Sequence, residues 1–147
     1  MKYAFALAFI FVIIYTTLRA TETEFDFTAA TPSERTAYLS ARSDRVKTRL
    51  NSGLRQRYGV IRSFGVESVR LNRSGYVAMV NFKEPPPGGS FNRTFQQEMT
   101  KALCKSYINS KTSEHKISIS VILSDMTDKT TAQLTLSNPA CRRYEAN

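Results

Sequence analysis

Histidine occurs once in this chain of 147 residues, at His115, and cysteine only twice, at Cys104 and Cys141. With one imidazole and two thiols, a zinc site has almost no ligands to draw on. Imidazole acid–base chemistry would rest on His115 alone, beside Lys116 at the start of an expected strand. Ser113, Glu114 and Ser118 lie near it, but no nucleophile motif surrounds it, so a small hydrolase built on His115 is the remotest reading. Gly88 and Gly89 follow three prolines and form neither a P-loop nor a dinucleotide fingerprint. Asp125 and Asp128 flank a turn, where aspartate is ordinary, and two carboxylates alone are a weak calcium signal. The expectation is a non-enzymatic chain with no metal and no cofactor.

Acids are scarce as well, 12 against 21 lysines and arginines, for a net charge of +9. It falls to +7 when Lys2 and Arg19 are set aside. It concentrates anionic partners around the molecule, whether nucleic acid, anionic lipid or acidic protein, without choosing among them.

Only one long apolar run is present, in "MKYAFALAFIFVIIYTTLRA". A single early cation followed by an unbroken apolar stretch from Tyr3 to Tyr15 is the pattern of an export signal. As a helix, Tyr3 to Leu18 would reach roughly 24 Å, short of a bilayer core, which favours a cleaved peptide. Leu18 and Arg19 before a cut at Ala20 fit cleavage poorly, which favours a retained anchor. Both stay open: residues 1–20 are read as signal peptide or membrane anchor. Glu22, Glu24 and Asp26 follow the run, so the amino side stays in the cytoplasm and the body faces outward. The expected location is periplasmic or extracellular, either soluble after cleavage or held by one span. There an even cysteine pair forms a disulfide, Cys104 to Cys141.

Residues 21–30 read as a tether and 31–147 as one extracytoplasmic domain; 41% hydrophobic and 11% aromatic residues are enough for a packed core. Thr31, Pro32 and Glu34 are a helix start, with Thr31 as cap. Leu39, Val46, Leu50 and Leu54 then make one apolar stripe, ending at Gly53 or a turn later at Gly59. "GVESVRLN" and "YVAMVNFKE", linked by "NRSG", predict a hairpin, and both faces of its second strand are apolar enough to make it central. Pro85 to Gly89 stops the sheet. Ser90 or Asn92 caps a second helix presenting Phe91, Phe95, Met99, Ala102 and Leu103, with Cys104 in its last turns. "HKISISVILSD" and the segment around Ala132, Leu134 and Leu136 are two further alternating strands. The order α-β-β-α-β-β predicts a single small α+β domain, an antiparallel sheet with its helices packed on one face.

In "SDRVKTRLNSGLRQR", Arg42, just upstream, shares one helical ridge with Arg45 and Arg49, while Lys47 and Arg55 point elsewhere. Guanidinium makes paired hydrogen bonds to carboxylate and phosphate, so the ridge is a candidate contact for an anionic partner, although charged wet faces are the ordinary use of such residues. A protein partner is favoured and an anionic lipid surface is a second possibility. Nucleic acid is disfavoured by compartment and by the lack of a stacking motif on a strand. "NRS" at Asn72 and "NRT" at Asn92 match the glycosylation acceptor, which matters only in a eukaryotic secretory pathway.

The stretch from "ALCKSYINS" through two strands to "LTLSNPAC" resembles the end of the small periplasmic pilotins of type II secretion systems, in which a helix cysteine pairs with one near the C-terminus. The resemblance covers about the last third of the chain. It implies a non-enzymatic domain that binds a short segment of an outer-membrane secretin and helps it assemble. Pilotins are usually lipoproteins, and no cysteine follows the apolar run here; no binding residues carry over. The expected function is a non-catalytic extracytoplasmic interaction domain, an accessory part of a bacterial envelope or secretion assembly. The alternative is a secreted basic effector or inhibitor that meets an anionic partner through Arg42, Arg45 and Arg49. A sheet edge or a helix–sheet groove would serve as the binding surface.

Overall fold

The expected first helix forms as two. In the computed structural model, which describes residues 25–59, 63–86, 88–127 and 129–145, α1 spans Pro32–Ala41 and α2 spans Ser43–Tyr58, with Arg42 between them. The Arg42 amide donates to the Leu39 carbonyl at 3.1 Å, tightening the last turn of α1, and Val46 then donates to the Arg42 carbonyl at 3.0 Å. The Tyr76 phenol donates to the same Leu39 carbonyl at 2.7 Å, so a buried side chain from the sheet holds the joint. Leu39, Val46, Leu50 and Leu54 are buried, as their spacing predicts. Of the two candidate stops it is Gly59, with φ at 77°, that ends α2, and its amide donates to the Arg55 carbonyl at 2.8 Å.

The chain divides at Thr31/Pro32 into two units. In the first, Asp26 organises a turn, its carboxylate accepting from the Thr28 amide and hydroxyl and from the Ala29 amide. The Thr28 hydroxyl, then these amides, hold the Asp26 carboxyl below its ordinary range. The expected signal or anchor over residues 1–20 lies outside the described residues.

In the second unit, β1 (Phe64–Asn72) and β2 (Gly75–Phe82) form the expected hairpin around Arg73 and Ser74. α3 (Arg93–Ile108) follows the proline segment, and it is Asn92, not Ser90, that caps it, accepting from the Phe95 amide at 2.9 Å. β3 (Ser118–Asp125) and β4 (Thr131–Leu136) complete a sheet ordered β1-β2-β3-β4. The outer pairs are antiparallel but β2 and β3 run parallel, with Tyr76 opposite Ile119 and Val80 opposite Leu123. The expected antiparallel sheet is therefore a mixed one. A strand that returns to its neighbour through a helix, as β2 does through α3, re-enters at the end where it began and runs parallel.

Two short helices add to the expected order: α4 (Lys111–Glu114) and α5 (Asn138–Arg142). At four and five residues they carry too little of a 3.6-residue period to register as a stripe. α4 displaces the expected start of β3. Its end is closed by Lys116 at φ 57°, with Lys116 donating to Ser113 and Ile117 to Thr112, the double return bond of a left-handed helix end. His115 is thus the last residue of a helix turn and not the first of a strand.

The inner face of the sheet, including Val66, Tyr76, Ala78, Val80, Ile119 and Val121, is buried beneath α2 on the β1 side and α3 on the β4 side. Val77, Met79 and Ile122 point the other way and are half-buried. The helices do pack on one face. Cys104 and Cys141 form the expected disulfide, with Cα atoms 5.1 Å apart, and both are buried. Cross-linking residues 37 apart in sequence restricts the unfolded chain by about 3–4 kcal/mol. The bridge fastens α5 to α3, and Asn138 fastens it to α4, exchanging hydrogen bonds with the Ser113 hydroxyl (2.7 Å) and carbonyl (3.1 Å).

Burial pushes the Tyr76 phenol up to about 12 from an ordinary 10.0, only partly offset by the Arg42 charge. An unfolded tyrosine ionises near its ordinary value while the folded one stays neutral, so this contribution to stability is full below pH 10.0 and is lost as pH rises toward about 12. Tyr76→Phe should cost about 1–2 kcal/mol near neutral pH through the hydrogen bond lost at Leu39. It should also flatten the alkaline decline in urea-unfolding stability. Tyr58 and Tyr107, likewise raised by burial, retain part of that slope.

Candidate functional site

α2 and α3 cross closely because Gly53 allows it. A Cβ placed on Gly53 would run into the Ser106 hydroxyl and sit 3.1 Å from Ser106 Cβ and 3.2 Å from the Ala102 carbonyl oxygen. Glycine inside a helix costs about 1 kcal/mol relative to alanine, and here that cost accompanies close contact between two backbones. On either side of the crossing the helices are tied by polar contacts. Arg49 Nη1 donates to the Asn109 carbonyl at 2.6 Å, placing a cation at the negative end of α3, and Arg57 pairs with Glu98 at 2.6 Å. The order of these contacts, 49 with 109 and 57 with 98, makes the two helices antiparallel.

The wet side of this crossing is a basic groove. Its middle is a cavity of about 710 Å³ lined by both helices, with Arg45, Arg49 and Lys105 as cations and Asp44 as the one carboxylate. Toward α4 it passes into a second cavity of about 300 Å³, sharing Arg45, Arg49 and Ser106 with the first and adding Arg42 and Lys111. Toward the other end, Gln56 and Lys105 lead into a third of about 280 Å³ with Lys101 and the Arg57–Glu98 pair. From Arg42 to Arg57 the groove follows about 22 Å of helix.

All three arginines of the predicted ridge come together here, around the second cavity. Arg42, at the α1–α2 joint, lies over the Tyr38 ring at 4.2 Å, and the edge of that ring meets His115 at 5.9 Å between centroids. Lys47 and Arg55 do not line the groove, as the helical ridge predicts. The helical ridge gives no sign of the opposite wall: Lys105, Ser106, Lys111 and Thr112 come from a segment some sixty residues downstream. Periodicity marks the inward face of each helix but not which wet faces become neighbours. The unusual position of Gly53, inside a helix stripe, was the available signal.

The other singled-out residues have structural occupations. Ser113 binds Asn138, the Ser118 hydroxyl donates to the Ser74 carbonyl at 3.0 Å, and Glu114 pairs with Lys111 at 2.7 Å. Asp125 builds its turn by accepting from the Thr127 amide and hydroxyl. Of the two glycosylation motifs, Asn92 caps α3 and Asn72 accepts from the Ser74 amide and hydroxyl across the hairpin turn. The free edge of β1 is partly occupied: the Asn51 carboxamide accepts from the Val66 amide at 2.9 Å and donates to its carbonyl at 3.2 Å, beside a bulge at Glu67.

The fold and site define a small α+β domain with a four-stranded mixed sheet, a disulfide and a basic interhelical groove. No family model matches the chain, and no curated protein matches it in sequence; no pilotin emerges. Among solved structures, it is similar to a presumed secreted protein from Pseudomonas aeruginosa, known from a crystal structure at 1.60 Å resolution. The two are 9% identical with a TM-score of 0.50, over 78% of this chain and 100% of that one. At this identity the likeness is one of fold.

Gly53→Ala should destabilise the domain by about 1 kcal/mol despite the better helix propensity of alanine, because Ser106 Cβ and the Ala102 carbonyl are both fixed by α3. Denaturant unfolding measures it, and a stabilised variant would show that the crossing tolerates a side chain.

Proposed function

We propose that this chain is an exported, non-catalytic binding domain that holds an acidic protein partner in the groove between α2 and α3. The observation that carries the reading is the groove itself: five of its cations, Arg42, Arg45, Arg49, Lys105 and Lys111, converge from two walls on connected cavities edged by one carboxylate, Asp44. A concave surface of one sign focuses its field and favours an extended ligand of the opposite sign. The sheet edge at β1 is a weaker candidate, since Asn51 and the bulge already engage it.

Export is supported by the apolar run at the amino end and by the disulfide, which forms and persists in oxidising compartments. A non-catalytic role is supported by the structural hydrogen bonds that occupy Ser113 and Ser118, two hydroxyls close in sequence to the single histidine. Membership in a bacterial envelope or secretion assembly is a narrower form of the reading, and the pilotin-like stretch from residue 102 to 141 is its support. An anionic lipid surface would be a flatter partner than this groove accommodates.

The test is fluorescence anisotropy with an amidated peptide of alternating Asp and Ser and its Asn/Ser counterpart. The acidic peptide should bind and weaken steeply with salt, and the Arg45→Gln/Lys105→Gln double variant should lose about tenfold in affinity and most of the salt slope. Equal binding of both peptides, or no effect of the double variant, would contradict the proposal.

A further inference from the structure

The cavity of about 300 Å³ at the α4 end differs from the rest of the groove in chemistry. Its floor is apolar, made by Val46, Leu50, Tyr107 and Ile119, all of them core residues. Its rim carries Arg42, Arg45, Arg49 and Lys111, and no carboxylate lines it. Lys111 is paired with Glu114, and the three arginines, set around so small a volume, repel one another; an anion seated among them relieves that repulsion. A ligand that satisfies both parts must carry an apolar group and a negative charge close together. An internal Asp or Glu cannot, having only one or two methylenes before its carboxylate. The last residue of a peptide can, because its side chain and its α-carboxylate share one Cα. The groove also stops here: Ser110, Lys111 and Thr112, at the turn into α4, wall the cavity, so a chain lying between the helices has to end or leave.

We infer that this cavity is a carboxy-terminus pocket: it takes the last residue of the acidic partner, an aliphatic side chain on the Val46–Leu50–Ile119 floor and the α-carboxylate between Arg42, Arg45 and Arg49. Guanidinium suits that role because it grips a carboxylate by two parallel hydrogen bonds. Tyr38 stacked under Arg42, and the Asn109 carbonyl bonded to Arg49, hold two of the three guanidinium groups in position before a ligand arrives. The volume suffices for one aliphatic residue and lies at the small end of ligand pockets. Upstream acidic residues of the ligand would then run past Lys105 toward Lys101. This inference rests on the acidic-partner reading of the groove, and its test separates the two.

The experiment uses three labelled peptides with the same alternating Asp/Ser body: one ending in Leu with a free carboxylate, one ending in Leu amide, and one ending in Ser with a free carboxylate. The full chain should bind the first about tenfold more tightly than either of the others. Arg45→Gln, an exposed change whose fold is checked by circular dichroism, should reduce the acid-over-amide preference and leave the Leu-over-Ser preference in place. Equal binding of all three would overturn the pocket while leaving the acidic groove standing. Binding of none would overturn both. Binding to phosphatidylglycerol vesicles, lost in Arg45→Gln and unaffected by the peptides, would overturn the pocket in favour of a lipid surface.

Discussion

The contact on which the rest depends is the approach of α2 to α3 at Gly53. With no side chain there, the helices meet at Ser106 and Ala102, and two ridges of long polar side chains that would otherwise point into separate regions of solvent face each other. Arg49 reaching the Asn109 carbonyl and Arg57 reaching Glu98 are then possible at the two ends, with the groove between them. The same approach lets Leu50 and Leu54 on α2 and Met99 and Leu103 on α3 close over one face of the sheet. Core and groove are two sides of one crossing.

Around that crossing the fold anchors the loose ends. Tyr76 rises from β2 to the Leu39 carbonyl and ties down the joint of α1 and α2, where Arg42 stands. The Tyr107 hydroxyl donates to the Ile117 carbonyl at 2.9 Å, holding the segment after α4 against α3. The disulfide and the Asn138–Ser113 exchange draw the C-terminal helix onto the same region. Rigid surroundings matter for a binding groove because the cations are held apart and in place before a ligand pays the cost of ordering itself.

Much of this was legible in the residues. The spacing of Leu39, Val46, Leu50 and Leu54, the alternation of Ile119, Val121 and Leu123, and the capping residue Asn92 each report a local rule, and each holds. The parallel pairing of β2 with β3 was not legible, because alternation assigns faces and not neighbours. Nor was the break at Arg42: it falls in the seven-residue gap between Leu39 and Val46, and the tyrosine that bonds the joint lies thirty-odd residues away. The candidate site was half visible: one wall, Arg42, Arg45 and Arg49, follows from helical geometry, whereas Lys105 and Lys111 join it only through tertiary packing. His115 shows the opposite error, since a left-handed Lys116 and a one-turn helix leave it in a place that strand alternation does not foresee.

The most direct measurement of where this domain binds is a map of backbone amide NMR shifts on adding the amidated Asp/Ser peptide. The largest shifts are expected at Arg45, Thr48, Arg49 and Ser52 on α2 and at Lys105 and Ser106 on α3, residues that line the central cavity. Shifts centred on Val77, Met79 and Ile122, on the opposite face of the sheet, with the groove silent, would contradict binding in the groove.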